Sequence, residues 1–338
     1  MNGSRIALAA IALAAWVTVA AQPPPQPPAP PCTPAPNQVC GQQGPEDLVG
    51  LGEQWVVASA ISGTGGIMLI RTNDRESLTA YPSAEATHQH DTQTYPQCPG
   101  PPDPTDFTTH GLYVAPGNGP VYRLLAVAHG ARESIEIFDI DTRSQRPAVT
   151  WLGCVIAPEP IGLNSVRGLP DGGFVTTNFL PRDSTPEETQ AMLNGAQNGE
   201  LWEWHTESGW SEVAGSEAAG ANGLELSADG QTIYVAAWGS QSFFRVTRGW
   251  DPPRRDDISL GFRVDNIHWA RDGSLYAVGQ DETNWVVVSI DPETLETREI
   301  LSQPDTEAFG AGTAVVEIGD DFWVGSFRGN RIAIVPAP

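Results

Sequence analysis

The chain has 338 residues, and its 18 basic and 41 acidic side chains give a formal charge of −23. All 18 basic residues are Arg, which excludes every phosphate-binding loop, Schiff base or kinase site that requires a lysine. The negative charge argues against nucleic acid and anionic membranes as partners, because both would be repelled at long range, and it favours the binding of cations.

The N-terminal segment predicts export. Residues 6–21 form an apolar run after Arg5, shorter than the roughly 20 residues that a membrane-spanning helix needs. Val19 and Ala21 are the small residues expected before a cleavage site. We predict a signal peptide over residues 1–21, a periplasmic or extracellular protein, and no transmembrane segment in the mature chain; an uncleaved signal anchor is the alternative. Residues 22–43 predict a proline-rich spacer.

Four cysteines, an even number in a chain predicted to be exported, indicate two disulfides. Three pairings are open, and we favour Cys32–Cys40 with Cys98–Cys154, because the first pair closes a short loop beside the spacer. The spacing fits no zinc site, since the sequence contains neither CxxC nor CxxH.

Short strand-like segments, separated by Gly, Asp-Gly and Asn-Gly turns, follow one another from about residue 44. Six longer segments share one layout, a polar residue followed by a strand, a turn and a β-branched strand, and they start at residues 46, 110, 164, 222, 265 and 313. Their separations of 43 to 64 residues lie in or above the range of four-stranded propeller blades. The sequence therefore predicts an all-β fold, a six-bladed β-propeller with four-stranded blades over residues 44–338. A two-sheet sandwich or a pair of smaller β domains is the alternative.

Polar side chains open the first strand in five of these segments. In a propeller that strand lines the central channel, so residues at this place in different blades converge near the axis. They are Glu46 with Asp47, His110, Asn164, Asn222, and Asp265 with Asn266. Strand propensity does not favour Asn, Asp or Glu there, and carboxylates buried together without a counter-charge would be costly.

A hard cation resolves this conflict. The carboxylates of Glu46 and Asp265 and the amides of Asn164, Asn222 and Asn266 supply five oxygen ligands with a total charge of −2. This set suits Ca²⁺ better than Mg²⁺, which tends to keep several waters. Each position alone is more often a turn-capping residue, whereas the five together favour a calcium site.

A family resemblance extends over the chain after residue 44. It is carried, in order, by the segments GPEDLVGLGEQWVVAS, THGLYV, VAHGARESIEIFDID, LNSVRGL, ANGLELSADGQTIYVAA, DNIHWARDGSLYAVG and GTAVV. They resemble the paraoxonase family of calcium-dependent lactonases and arylesterases and, more distantly, the gluconolactonase / senescence-marker-protein superfamily. The resemblance implies a six-bladed propeller with calcium at the bottom of an active-site cavity, and it matches the five ligands above. It also matches His110 and His129 to the histidine pair of the family.

The chain departs from that family at two places. The resemblance implies a second, structural calcium at Asp47 and the backbone of Leu112, but Ser165 replaces the expected acidic residue. Asp47 is therefore either a ligand of a second ion or a turn cap. The family's long-range disulfide is also missing, because no Cys follows Cys154, so ring closure must rest on strand pairing or a different bridge.

The predicted chemistry is hydrolysis of a lactone or an ester, in which Ca²⁺ polarises the carbonyl oxygen. His110 is the candidate general base and His129 the residue that holds it, although Glu46 or Asp265 could also take the proton. A covalent serine mechanism has no support, because the sequence has no GxSxG. The alternative function is a non-catalytic propeller that binds a ligand or partner protein, with a structural calcium.

Two insertions interrupt the repeats. Residues 82–108 contain His88, His90 and Asp91, which could bind a transition metal but which we interpret as part of a rim loop. Residues 184–195 predict a short lid helix, with an N-capping Ser or Thr, Pro186 in its first turn and Gly195 at its end. Other side chains have predicted roles outside the metal site and the histidine pair. His268 packs or lines the cavity, and His205 is at the surface. Trp151, Phe179 and Trp238 form the cavity wall or pack between blades.

Overall fold

The computed structural model describes residues 30–115 and 119–338. The predicted signal peptide and residues 22–29 of the predicted spacer lie outside the described residues. Within the described part, the strands form six sheets that follow one another along the chain. This arrangement confirms the six-bladed β-propeller and excludes the sandwich and the two-domain alternatives.

The 25 described strands are numbered in chain order. The first strand, β1 (Gln38–Cys40), joins the last blade. Blade 1 contains β2 (Leu48–Leu51), β3 (Trp55–Ala60), β4 (Gly66–Arg71) and β5 (Ser77–Tyr81). Blade 2 contains β6 (Thr87–His88), β7 (Phe107–Ala115), β8 (Val121–Gly130), β9 (Ser134–Asp141) and β10 (Ala148–Ile156). Blade 3 contains β11 (Leu163–Gly168), β12 (Phe174–Asn178), β13 (Glu200–His205) and β14 (Gly209–Glu212).

The remaining three blades have the same four-stranded plan. Blade 4 contains β15 (Ala221–Leu226), β16 (Thr232–Ala237), β17 (Ser242–Thr247) and β18 (Arg255–Ser259). Blade 5 contains β19 (Arg263–Trp269), β20 (Leu275–Gln280), β21 (Asn284–Ile290) and β22 (Thr297–Pro304). Blade 6 contains β23 (Gly312–Ile318), β24 (Asp321–Ser326), β25 (Arg331–Pro336) and finally β1. The ligands predicted at strand starts therefore lie on or beside the innermost strand of their blades.

Ring closure depends on β1, which pairs antiparallel with β25 through Gln38 opposite Ala333 and Cys40 opposite Arg331. The predicted boundary at residue 44 places this segment in the spacer, whereas the structure places it in blade 6. The three residues carry no periodic signal of their own, and their pairing partner lies at the other end of the sequence. Local pattern could not reveal this strand.

Both favoured disulfides are present. Cys32 and Cys40 have Cα atoms 5.6 Å apart, and their bond closes the loop that leads into β1. Cys98 and Cys154, with Cα atoms 5.2 Å apart, tie the long loop of residues 82–108 to β10 of blade 2. Each bond fixes a segment that has little core of its own.

The apolar faces of neighbouring blades pack against each other. Trp151 belongs to an apolar cluster that contains residues of blades 1 and 2. It is 1% exposed, and its indole Nε1 donates to Glu136 Oε2 at 2.8 Å. It is therefore a core residue of blade 2 and not part of a cavity wall. None of the helices in the described residues is long and apolar enough to span a membrane.

The predicted helix is present as α1 (Pro186–Leu193). Thr185 is its N-cap, and its hydroxyl accepts a hydrogen bond from the backbone N–H of Glu188, whose side chain accepts one from Thr185 in return. This reciprocal capping box satisfies N–H groups that a helix leaves without partners. Met192 is the buried residue of α1, and it lies close to Gly220 and Gly239 of blade 4.

Candidate metal centre and histidine pair

Five of the six innermost strands contain a β-bulge at the same place. The register shifts enclose His110 and Gly111 in β7, Asn164 and Ser165 in β11, Asn222 and Gly223 in β15, Asp265 and Asn266 in β19, and Thr313 and Ala314 in β23. A bulge leaves a residue outside the ladder and re-aims its side chain. This irregularity explains how polar side chains in otherwise apolar strands turn towards one another.

Two glycines in these bulges allow neighbouring blades to approach closely. A Cβ atom on Gly111 would lie 2.4 Å from the carbonyl oxygen of Asn164, and one on Gly223 would lie 2.6 Å from both the carbonyl oxygen of Asp265 and the Cα of Asn266. Any larger residue would push the strands apart. The glycines therefore bring consecutive candidate ligands to the same end of the channel.

One hydrogen bond joins two of the candidate ligands, and His110 joins a third to them. Asn266 Nδ2 donates to Glu46 Oε1 at 2.6 Å, and Glu46 Oε2 lies 3.5 Å from His110 Nε2. Asn164 Nδ2 lies 3.3 Å from the same His110 nitrogen. Asp265 Oδ2 accepts a hydrogen bond from Gln280 Nε2 at 2.8 Å. Asn222 precedes Gly223 in its bulge, and Gly223 lies against the backbone of Asp265 and Asn266 in the next blade.

The candidate ligands have buried oxygen atoms without hydrogen-bond partners. Glu46 Oε2 and the Oδ1 atoms of Asn164, Asn222 and Asn266 are all in this condition. The nitrogens of Asn164 and Asn266 are engaged, so only their oxygens remain free. An unsatisfied buried acceptor costs about 1–3 kcal/mol. Four such oxygens on the innermost strands, or beside them, are of the type that a hard cation binds.

Electrostatics favours a cation at the same place. Burial and then the charge of Asp47 raise the pKa of Glu46 to about 8. Burial and then the charge of Glu46 raise the pKa of Asp265 well above its usual range. A positive ion between these two carboxyl groups would stabilise their charged forms. The residues present therefore fit Ca²⁺.

Transition-metal ligation finds less support. Among residues 30–115 and 119–338, no group of three or more His, Cys, Asp or Glu side chains is placed to hold a metal ion. His88 Nε2 lies 3.4 Å from the hydroxyl of Tyr81, and His90 Nε2 lies 3.3 Å from the carbonyl oxygen of Tyr95. Both imidazole rings pack against Trp151. These histidines anchor the rim loop.

The two candidate catalytic histidines are in contact. His110 Nδ1 and His129 Nε2 are 3.0 Å apart, and burial lowers the pKa of His110. His129 Nδ1 in turn lies 2.9 Å from Glu133 Oε1. Glu133 was not identified from the sequence, because it lies in the short turn between β8 and β9, where a charged residue is ordinary.

Asp47 belongs to a separate buried network. Its Oδ1 lies 2.8 Å from His268 Nε2, and its Oδ2 accepts from the backbone N–H of Leu112 at 2.8 Å. Burial lowers the pKa of His268, but the charge and hydrogen bond of Asp47 outweigh this and raise it to about 9. Asp47 is thus balanced by a protein cation, with Arg167 as a further positive neighbour.

Arg167 extends this network, and it lies 3.1 Å from Glu225 Oε1. Arg167, Glu225 and His268 each follow a candidate metal ligand by three positions, a shared phase that could have identified them in the sequence. They line a cavity of about 680 Å³ further along the innermost strands, away from the candidate ligands. His268 therefore takes part in an ion-pair network, a more specific role than packing. His205, expected at the surface, is half-buried and lies 2.6 Å from Glu203 Oε1.

Aromatic side chains adjoin the candidate metal centre. Trp238 Nε1 donates to Gln280 Oε1 at 3.3 Å, and Gln280 bonds to Asp265. Phe179 lies against Trp238 with ring centroids 5.9 Å apart, and Gly220 separates Phe179 from Met192 of α1. Phe179, Trp238 and α1 thus form one continuous group that leads from the surface to Asp265.

Comparison with known proteins supports the fold. The gluconolactonase XC5397 from Xanthomonas campestris is 16% identical, the alignment covers 93% of this chain and 99% of that chain, and the TM-score is 0.56. The calcium-binding protein regucalcin from Agrobacterium tumefaciens str. C58 is 12% identical, with coverages of 87% and 86% and a TM-score of 0.53. Virginiamycin B lyase from Staphylococcus aureus is also 12% identical, with coverages of 89% and 98% and a TM-score of 0.53.

These neighbours resemble this chain in overall fold, and they include a gluconolactonase and a regucalcin. No protein-family model matches the chain, and no curated protein sequence matches it. At such low identities the likeness shows the fold alone, and a lactonase and a lyase share it. Function must therefore be inferred from the site.

Proposed function

We propose that this protein is an exported, calcium-dependent hydrolase of lactones or esters. The observation that carries the proposal is the group of four buried, unpartnered oxygens from Glu46, Asn164, Asn222 and Asn266, beside the buried carboxyl group of Asp265 and the imidazole of His110. The fold shared with a gluconolactonase adds support.

Glu46, Asn164, Asn222, Asp265 and Asn266 would hold the calcium. When bound, Ca²⁺ would polarise the carbonyl oxygen of the substrate and stabilise the negative charge that develops on it. The networks around these residues keep the ligands oriented: Gln280 holds Asp265, and Asn266 holds Glu46. Such supporting contacts matter because they fix the direction of the ligand oxygens.

His110 is the proposed general base. Its Nε2 faces Glu46 and Asn164, the direction from which a water molecule beside the metal centre would approach. The nitrogen would accept a proton from that water as the water attacks the carbonyl carbon. His129 contacts the opposite nitrogen, Nδ1, and so holds the ring in place.

Phe179 and Trp238 are the proposed apolar wall for the substrate, and α1 is the proposed lid. The group connects the exposed helix to Gln280 and Asp265. An apolar wall with a few polar groups at its base is typical of sites for small organic molecules. A lactone or an aryl ester, with an apolar body and one carbonyl group, fits this description.

Export is proposed from the sequence of residues 1–21, and the two disulfides support it. Disulfide bonds form and persist in oxidising compartments such as the periplasm and the extracellular space. All four cysteines of the chain are paired.

The decisive experiment measures hydrolysis of γ-lactones, δ-lactones and phenyl acetate by the purified mature chain. We expect turnover with Ca²⁺, loss of turnover after chelation, and recovery when Ca²⁺ is restored, with Mg²⁺ as the control ion. Calcium binding is measured separately by calorimetry. Calcium binding without turnover across the panel would favour the non-catalytic propeller, and absence of calcium binding would exclude the proposed metal centre.

A further inference from the structure

Glu133 lies behind the histidine pair and makes three polar contacts. Its Oε1 lies 2.9 Å from His129 Nδ1 and accepts a hydrogen bond from the backbone N–H of Leu163 at 2.7 Å. Its Oε2 lies 3.7 Å from Nε of Arg182. The residue is 5% exposed, so these neighbours, and not bulk water, surround its carboxylate.

For two neutral imidazoles, the contacts determine where the protons lie. An ionised carboxylate can only accept hydrogen bonds, so His129 must carry its proton on Nδ1. A neutral imidazole has a single N–H, so His129 Nε2 is an acceptor, and His110 must donate to it from Nδ1. His110 Nε2 is then unprotonated, and its lone pair faces the donor Asn164 Nδ2 at 3.3 Å.

We propose that Glu133 is the positioning residue of the site: it sets the tautomers of His129 and His110 so that the unprotonated nitrogen of His110 faces the metal centre. The inference rests on the proposed hydrolase function for its catalytic consequence. Glu133 does not touch the substrate. It acts through His129, as a third member of a chain that runs from Glu133 to His129 to His110.

The same carboxylate also links the histidines to the metal centre. Leu163, whose N–H it binds, immediately precedes Asn164 in β11. One buried group thus orients both the proposed base and the strand that carries a calcium ligand. His129 Nδ1 and the Leu163 N–H contact the same oxygen, Oε1, so a glutamine whose oxygen stays with Leu163 would still accept from His129. An alanine at position 133 supplies no acceptor, so it no longer holds the proton on His129 Nδ1.

The test compares Glu133→Ala with Glu136→Ala, a matched control. Glu136 is also a buried glutamate, three positions further on, but it bonds to Arg132, Ser134 and Trp151 and not to His129. We expect Glu133→Ala to lower kcat about 10- to 100-fold, with KM little changed. Glu136→Ala should retain kcat whatever its effect on Tm.

Histidine-selective ¹⁵N NMR of the calcium-loaded protein reads the tautomers directly. In the unsubstituted protein we expect protonated Nδ1 and unprotonated Nε2 in both His110 and His129. Glu133→Ala should shift these signals towards the opposite tautomer, and Glu136→Ala should leave them unchanged. Unchanged imidazole signals and kcat in Glu133→Ala would overturn the inference, as would equal changes in both variants.

The NMR measurement separates this inference from the proposed function. If the unsubstituted protein shows no turnover on any substrate, the hydrolase proposal fails. The nitrogen signals of His129 still decide whether Glu133 sets the tautomers.

Discussion

The asparagines of the candidate metal centre use the two ends of their amides differently. Asn164 directs its nitrogen to His110 and Asn266 directs its nitrogen to Glu46, while both Oδ1 atoms are left for another partner. An amide can act in this way because it is a donor and an acceptor at once. An aspartate would repel Glu46 and could not donate, so Asn is the residue type that both contacts require.

Asn222→Ala and His110→Gln should separate binding from catalysis. Loss of the Asn222 oxygen should weaken calcium binding and thereby remove activity. Loss of the His110 imidazole should lower kcat about 10²- to 10⁴-fold with calcium affinity retained, because His110 supplies no oxygen ligand. Calorimetry with Ca²⁺ and steady-state kinetics measure the two effects. An equal loss of calcium affinity in both variants would show that the assigned roles are wrong.

The residues of the candidate site could be predicted from the sequence only where a repeated segment marks their position. Asn164, Asn222 and Asp265 could be selected because they occupy one phase of a repeated segment. Glu133 could not, because its contact with His129 arises from the way one turn folds back on a strand end. Which amide end faces the ion is likewise a property of packing, and no spacing in the sequence encodes it.

The helix α1 is the element with the clearest local sequence signal. Its capping box, Thr185 with Glu188, and Pro186 at its first turn predict its start. Met192 is its single buried side chain, so few apolar contacts attach α1 to the propeller. An element with so few apolar contacts can move without unfolding the core, which suits the proposed lid.

Thr185→Ala should loosen α1 and affect substrate binding more than overall stability. Removal of an N-cap typically costs about 1 kcal/mol, here confined to one helix. We expect KM to rise while Tm stays close to that of the unsubstituted protein. Thr189→Ala is the control, because Thr189 lies on the same helix but outside the capping box. A fall in Tm without any change in KM would show that α1 supports the fold and is not a lid.

The strands show what local pattern can and cannot predict. Most follow from short runs of apolar and β-branched residues between Gly-containing turns, which is why the blade number and the strand repeat were predictable. Strands β1 and β6 were not, because each has only two or three residues and pairs outside its own hairpin. The bulges could not be predicted from the sequence either, because an extra residue in a strand does not change its composition.

At the scale of the whole molecule, the candidate ligands join blades that are far apart in the sequence. Glu46 precedes blade 1, and the other four residues belong to blades 3, 4 and 5. An ion bound by all of them exists only when the ring has formed. Its binding free energy therefore stabilises the folded propeller and not the unfolded chain.

Calcium should accordingly raise Tm. At a free concentration about 100 times Kd, the expected stabilisation is about 2.7 kcal/mol. Thermal unfolding at graded calcium concentrations measures it, with Mg²⁺ as the control ion. The shift should be absent in Asn222→Ala and present in His110→Gln. A Tm that does not respond to Ca²⁺ in the unsubstituted protein would count against a site shared between blades.

The pairing of β1 with β25 determines which step completes folding. Gln38 and Arg331, hydrogen-bonded in blade 6, are 293 positions apart, whereas the other blades pair strands that are near neighbours in sequence. Loop-closure entropy rises with separation, and non-local pairings form slowly. Blades 1 to 5 can therefore assemble during refolding while the edge of β25 is not yet paired with β1. We infer that the pairing of β1 with β25 is the late kinetic step. During synthesis, the chain therefore has an exposed strand edge until this pairing forms.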